Sequence, residues 1–364
     1  MVMLNERAVA LKNMINKAVG ENTVFLGSEM QPTAPFTTGS LSLDIALGGG
    51  LPGNQWVEII GDTSAGKTAM VYKTLAANMA RDQDYSCFWL AAEHYDFDQA
   101  AALGVDNERV LVSPVQEMET ALSLILTAVE SKAVTCIVLD SYPALIPDEE
   151  SEKAMDEFVV AVGAKLMNKW VRKAGKASKR SPFGEDPAFH GIIINQFRDK
   201  IGGWAPNGMV PQTTPGGHGK DYFFYARIKV QRDEYILEKR PGVKNKVKVG
   251  QCIRFTTVKN KSAAPQQTAY VDFYFKGAPF LGFRRGEYDS GKEYVELGIV
   301  YGLIKGAGAW YYYADEKYQG KAAVEDAIRQ DVDLKNRLKR DLFEISSNPV
   351  LTDVMELERA LETV

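Results

Sequence analysis

An α/β fold around a mostly parallel central sheet, with a helix ahead of it and a small α+β domain behind it, is predicted by this sequence of 364 residues. Three observations carry the expectation. Apolar, β-rich runs recur at residues 56–60, 87–92, 135–139, 191–195, 226–230 and 253–258, and helical stretches at 67–81, 116–131 and 158–174 separate the first four. A strand buried on both faces reads as such a run, and parallel neighbours need a crossover helix between them. A glycine-bracketed octapeptide lies between the first run and the first of these helices, and beyond about residue 280 the pattern changes to short strand signals near 311–313 and charged helices.

In chain order, the first element is an amphipathic helix over about residues 5–20. Leu11, Met14, Ile15 and Ala18 recur at i, i+3, i+4 and i+7, which gives one apolar stripe. A loop rich in Gly, Pro and Thr follows, over 27–39. A helix on such a tether packs either on its own core or on a neighbouring subunit. The later strands, joined by shorter links, suit antiparallel pairing. The expected division is 1–35 for the helix and linker, 36–278 for the core and 279–364 for the C-terminal domain.

The octapeptide Gly61-Asp62-Thr63-Ser64-Ala65-Gly66-Lys67-Thr68 fits GxxxxGK[ST] between a strand and a helix, the context this motif requires. Its glycines let backbone N–H groups turn toward phosphate oxygens, and the helix beginning near Gly66 adds its positive end. Lys67 is expected on the β- and γ-phosphates of ATP and the Thr68 hydroxyl on Mg²⁺. Asp140 ends the run at 135–139, where a carboxylate holds Mg²⁺ through water. A helix N-cap is the competing role, and a P-loop in the same chain favours the metal. Glu93 ends the run at 87–92 at the same sheet edge, where it can orient a water on the γ-phosphorus or stand as a solvated loop acid.

Further segments carry a resemblance. Thr38-Gly39-Ser40-Leu41-Ser42-Leu43-Asp44-Ile45-Ala46-Leu47-Gly48 leads to the P-loop. Ala92-Glu93-His94, Leu139-Asp140-Ser141, Asn195-Gln196-Phe197-Arg198, Val258-Lys259-Asn260-Lys261-Ser262-Ala263-Ala264-Pro265 and Gly306-Ala307-Gly308-Ala309-Trp310-Tyr311 follow in that order. The series resembles the bacterial RecA recombinases over about residues 5–345. The resemblance implies a RecA-type ATPase core that binds ATP and Mg²⁺, polymerises as a helical filament on single-stranded DNA and exchanges strands with a homologous duplex. It implies that Glu93 activates the attacking water, that Gln196 senses the γ-phosphate, and that Lys259 and Lys261 reach the ATP of the next subunit. Two cations two apart at a strand end share a face and repel unless an anion lies between them, although an exposed strand end suits them equally.

Gln196 opens a glycine-rich segment, 197–218, with Arg198 and Lys200 at its root, a length that is uncommon without a function. It looks like the second DNA loop of RecA, from which Arg198, Ile201, Thr213, Thr214, Gly216 and Gly217 are carried over as DNA contacts. The first DNA loop falls within 148–162, whose acidic character suits phosphate poorly. There Val160 takes the inserting apolar position. Lys165 and Arg172 match cations on the next helix, where they share a face that could equally be merely solvated. Some positions depart from the family. Ala69 replaces a second Thr in the nucleotide site. The stretch holding Asp96 and Asp98 is one residue short, which leaves the adenine contact open between them. Residues 177–189 form an extended loop without an assigned use, and the acidic C-terminal tail is weak.

Composition sets limits. With 45% hydrophobic and 25% charged residues and a net charge of −4, the chain is no bulk polycation, so nucleic acid must be met by local basic clusters. Cys87, Cys136 and Cys252 form no CxxC pair and read as reduced core thiols. No apolar run approaches a membrane span and the N-terminus is charged early, so a soluble cytoplasmic protein is expected. A hexameric helicase and an ATP-gated DNA-coating mediator are the alternatives on the same core.

Overall fold

The computed structural model describes residues 6–151, 162–199 and 212–347. Its strands are β1 (Gln55–Gly61), β2 (Cys87–Ala91), β3 (Val110–Ser113), β4 (Cys136–Asp140), β5 (His190–Asn195), β6 (Arg198–Asp199), β7 (Gln212–Thr213), β8 (Ala226–Glu238), β9 (Val247–Asn260), β10 (Thr268–Tyr274), β11 (Glu287–Tyr288), β12 (Lys305–Ala307), β13 (Trp310–Tyr313) and β14 (Glu316–Gln319). Its helices are α1 (Glu6–Val19), α2 (Leu41–Ala46), α3 (Lys67–Met79), α4 (Phe97–Ala102), α5 (Met118–Ser131), α6 (Asp148–Ser151), α7 (Val162–Ala177), α8 (Gly219–Phe223), α9 (Ser290–Val300), α10 (Lys321–Gln330) and α11 (Val332–Ser346). Among the described residues no helix is long and apolar enough to cross a membrane.

The central sheet has the order β11-β10-β9-β8-β1-β5-β4-β2-β3. From β8 through β3 the neighbours are parallel, and β8/β9, β9/β10 and β10/β11 are antiparallel, as the shorter later connections suggest. Side chains alternate between the two faces. Val57 and Ile59 of β1 pack with Met70, Val71 and Leu75 of α3 on one face. Trp56 of β1, Leu139 of β4 and Ile193 of β5 pack with α5 and α7 on the other. Trp56 fits because β5 has Gly191 beside it: a Cβ there would lie 2.2 Å from the indole ring. Cys87, Cys136 and Cys252 are all free and buried.

At the N-terminus, α1 buries none of its residues, and Leu11 and Met14 are 52% and 63% exposed, so its apolar stripe is not covered by its own core. The helix folds back on its linker instead: Asn16 brackets the Val24 backbone in both directions, and Lys12 pairs with Glu29 at 2.9 Å. The 177–189 loop holds that linker. The Gln31 N–H donates to the Pro182 carbonyl at 2.8 Å, and the rings of Phe25 and Phe183 meet edge to face at 5.4 Å.

At the C-terminus, α9, α10 and α11 enclose Val295, Val324, Ile328, Leu338 and Leu342 beside the β12-β13-β14 meander. Leu41 of α2 joins that cluster. Buried Glu293 of α9 accepts hydrogen bonds from the Ser42 N–H (2.9 Å) and hydroxyl (2.7 Å), so the stretch before the P-loop is stitched to the C-terminal helices.

Candidate active site

Four parallel strands, β1, β2, β4 and β5, bring the site's side chains to one sheet edge. β1 ends at Gly61, where a Cβ would lie 2.3 Å from the Val230 carbonyl oxygen of β8. The chain then turns through the loop, and Gly66 caps α3 with φ of +103°, a conformation that favours glycine. From the first turn of α3 the buried Lys67 ammonium curls back, donating to the carbonyls of Gly61 (3.0 Å) and Asp62 (2.8 Å). The Thr68 hydroxyl donates to Asp140 Oδ2 at 3.0 Å, where β4 ends beside the loop.

Asp140 is buried, and its carboxyl is pushed up to about 6, first by burial and then by the Glu93 carboxylate, with the Thr68 hydroxyl opposing. Burial pushes the Lys67 ammonium below its usual value, while Asp140, Glu93 and Asp62 hold it up. Two carboxylates therefore face one ammonium, a surplus of negative charge that suits a divalent cation. Among the described residues no group of three or more His, Cys, Asp or Glu forms a metal cage. The donor set fits Mg²⁺ held partly by phosphate oxygens, the usual way Mg²⁺ is bound beside a nucleotide.

Glu93 stands past the end of β2, and its N–H donates to the Asp140 carbonyl at 2.9 Å. Its carboxylate accepts a hydrogen bond from the Ser141 hydroxyl, and its Oε1 accepts one from Gln196 Nε2 at 3.3 Å. Glu93 and Gln196, with Lys67, Thr68 and Asp140, line a cavity of about 420 Å³, whose far wall is built by Gln99, Arg232, Tyr235, Gln251, Phe273 and Phe275.

A profile for the RecA N-terminal domain matches residues 6–278. The chain belongs to the RecA family. It is 36% identical to Protein RecA of Chlorobaculum tepidum over 311 residues, covering 84% of this chain and 82% of that one. It is 33% identical to Protein RecA of Acidothermus cellulolyticus over 343 residues, 93% and 91% of the two chains, and 33% identical to Protein RecA of Mesoplasma florum over 346 residues, 93% and 96%. Membership of the RecA family implies a DNA-dependent ATPase.

The other expected residues are placed unequally by this RecA fold. Ala69 lines the cavity, but Asp96 and Asp98 do not. Asp96 caps α4 by accepting from the Gln99 N–H at 2.8 Å, Asp98 is exposed, and Gln99 is the α4 residue that reaches the cavity. Lys259 and Lys261 do not line it either. Lys259 Nζ donates to the carbonyls of Asp221 (2.5 Å) and Phe224 (2.6 Å), and Lys261 Nζ to that of Tyr222 (3.2 Å). Both thus reach the same cluster of carbonyls around the end of α8. Burial first, then Lys261 and Arg227, push the Lys259 ammonium below its usual value.

Val160 and Ile201 lie outside the described residues. Arg198 of β6 pairs with Thr213 of β7, which joins the two ends of the glycine-rich segment into a short ladder. Thr214 sits lower, in a network that the sequence reading missed. Fully buried Glu58 of β1 receives Asn195 Nδ2 (2.8 Å), Lys220 Nζ (3.1 Å) and Arg227 Nε (2.6 Å). Arg227 also donates to the Thr214 hydroxyl at 3.1 Å, and Lys220 donates to it too. Gly216 and Gly217 have φ of +108° and +72° and pack against α7. Thr214, Gly216 and Gly217 therefore anchor the segment's root. On α7, Lys165 and Arg172 are exposed, as are Lys169, Lys173 and Lys176 at compatible helical spacing, and the helix carries no acid.

Proposed function

We propose that this chain is an ATP-driven recombinase that assembles as a helical filament on single-stranded DNA, pairs it with a homologous duplex and exchanges strands in recombinational repair. The reading divides the chain into a polymerisation helix and linker (1–35), an ATPase core (36–278) and a C-terminal domain (279–364). Lys67 and the loop amides hold the triphosphate. Thr68 and Asp140 would hold Mg²⁺, which would supply charge neutralisation at the phosphates. Glu93 accepts a hydrogen bond from water as its oxygen attacks the γ-phosphorus. The bond from that phosphorus to the β–γ bridging oxygen breaks, one water proton passes by way of Glu93 to solvent while the other stays on the phosphate, and ADP and phosphate leave. Lys259 and Lys261 serve the nucleotide of the adjacent subunit, in the manner of an arginine finger. Arg198, Thr213 and the α7 cations face the strand, with Val160 and Ile201 in the two DNA loops. The exposed stripe of α1 supports a docking role on the neighbouring copy.

The observation that carries the reading is the contact of Gln196 with Glu93. Gln196 follows the last residue of β5 and precedes the Arg198–Thr213 ladder, so one side chain touches the hydrolytic carboxylate from the root of the DNA segment. A γ-phosphate that repositions Gln196 biases that root, and DNA on the segment biases Glu93 in return. ATP turnover measured with and without single-stranded DNA across a salt series tests this. We expect stimulation of at least about 5-fold, the lower end of ordinary coupling, weakening as salt rises. Turnover that is indifferent to DNA would leave only a nucleotide hydrolase.

A further inference from the structure

The 177–189 loop, which the site described above leaves unused, is a built structure rather than a slack connection. Arg180 donates to the carbonyls of Ala177 and Val129, both at 2.9 Å, and its guanidinium lies over the Phe189 ring at 4.6 Å. Asp186 accepts from the Ser181 N–H at 2.7 Å and pairs with Lys132, which caps the end of α5. The loop is thereby fixed to α5, to the end of α7 and to the residue before β5.

What the loop holds is the linker behind α1. Phe183 meets Phe25 edge to face, and the Pro182 carbonyl accepts from the Gln31 N–H. Gly184, at φ of +75°, makes room for the Gln31 side chain, whose Oε1 would lie 2.5 Å from a Cβ there. Two residues on, Asn54 Nδ2 donates to the Thr33 hydroxyl at 3.1 Å. The linker in turn holds α1 through the Asn16–Val24 bonds and the Lys12–Glu29 pair. An unbroken series of contacts therefore runs from the core to a helix that buries none of its residues. A free linker of this length would let the helix range over roughly 20 Å. The stripe of α1 is also presented rather than covered, since Leu11 and Met14 stay exposed. Elsewhere the same chain leaves Leu111 and Val112 exposed on β3, the outermost strand of the sheet among the described residues, and Phe97 and Val112 border one open cleft. A stripe and a separate apolar surface on one chain match head to tail between copies, so the occupant that the chain itself supplies is a second copy.

We propose that the 177–189 loop is a clasp that holds α1 in the position from which a second copy of the chain takes it, and that it thereby promotes self-assembly. The proposal rests on the docking role of α1 given above. Preorganisation is the physical reason. A helix already in place gives up little freedom on docking, whereas one on a free tether must be ordered at that moment. The exposed stripe fixes the direction of the effect, because a clasp that suppressed assembly would cover it.

The test compares the full-length chain with Phe183→Ala, with Phe183→Leu, which keeps an apolar contact, and with a combined Leu11→Ala, Met14→Ala variant. Neither Phe25 nor Phe183 belongs to the cores flanking the sheet, so Phe183→Ala should unfold near the temperature of the unmodified chain. Sedimentation velocity over a concentration series reads self-association, and hydrogen exchange at the Gln31 amide reads closure of the clasp. We expect Phe183→Ala to lose protection at Gln31 and to associate roughly 3- to 10-fold more weakly, the range set by one aromatic contact, with ATP binding unchanged. Phe183→Leu should fall between. Adding Phe25→Ala to Phe183→Ala should change little further, since the two rings act as one contact. Retained protection at Gln31, undiminished association, or association tighter than that of the unmodified chain would each overturn the proposal. A Leu11→Ala, Met14→Ala variant that associates normally, or an unmodified chain that stays monomeric throughout, would sink the docking reading and the clasp with it. If the stripe variant stays monomeric while Phe183→Ala assembles as before, docking stands and the clasp alone fails.

Discussion

The ammonium of Lys67 and those of Lys259 and Lys261 all rest on backbone carbonyl oxygens, in two different kinds of place. Lys67 touches Gly61 and Asp62 of its own loop, is buried, and shares one cavity with Asp140 and Glu93. Lys259 and Lys261 touch carbonyls of residues 221–224 from the far end of β9 and line no part of that cavity. The first site has its opposing charges gathered within the chain. The second has cations gathered on backbone carbonyls at the end of α8, where the Asp221 and Glu58 carboxylates act on Lys259 from a distance but form no ion pair with it among the described residues. A site of the first kind works on what diffuses in. On the proposed reading, a site of the second kind is half of an interface.

The largest effect expected from this contrast is at Lys67. Lys67→Ala removes the one ammonium in the cavity and leaves Asp140 and Glu93 facing each other without it, so nucleotide binding and turnover should both collapse. Losses of one preorganised charge at such a site run to about 10²–10³ in rate, and here the ground-state binding goes as well. Turnover and ATP binding by isothermal calorimetry read the two separately. A variant that keeps both would place the phosphates elsewhere.

The next effect separates cis from trans. A Lys259→Ala, Lys261→Ala double variant should bind ATP as the unmodified chain does, yet turn it over about 10²-fold more slowly once assembled, because only transition-state charge is left unmet. Mixed with the Lys67→Ala chain, it should regain activity at the junctions where an intact P-loop meets an intact lysine pair. No recovery at any mixing ratio would make the second group of lysines structural and erase the contrast.

How much of this was readable beforehand follows the same division. The P-loop is eight consecutive residues, so glycine, lysine and threonine announce it without help from the rest of the chain. Asp140 and Glu93 needed only the rule that parallel strands end at one edge. The far wall of the cavity was not readable, because Arg232, Tyr235 and Gln251 reach it from the outer half of a hairpin well over a hundred residues downstream of the P-loop. Glu58 did leave a trace, a carboxylate inside the apolar run Trp-Val-Glu-Ile-Ile, which should have prompted a search for buried cations. Its partners Lys220 and Arg227 look like ordinary loop and strand-edge charges in the sequence. For α1 the stripe was legible but its covering was not, since both alternatives predict the same spacing. In the structure Leu11 and Met14 stay exposed, uncovered by the chain's own described core.

The smallest predicted effect sharpens the contrast inside the second group. Lys259 is half-buried and satisfies three carbonyls, those of Asp221, Tyr222 and Phe224, whereas Lys261 is exposed and reaches one, with Tyr225 beneath it at 5.6 Å. If these lysines are held by the end of α8, the single variants should differ in stability even without nucleotide. Lys259→Ala leaves the part-buried carbonyls of Asp221 and Phe224 without this donor and should cost about 1 kcal/mol in urea unfolding. Lys261→Ala should fall within the scatter of ordinary surface substitutions. Equal effects would mean that the carbonyl contacts of Lys259 carry no stability. In that case a neighbour's phosphate can draw Lys259 away as easily as Lys261, and both ammoniums should be treated as free to move into the next subunit's site.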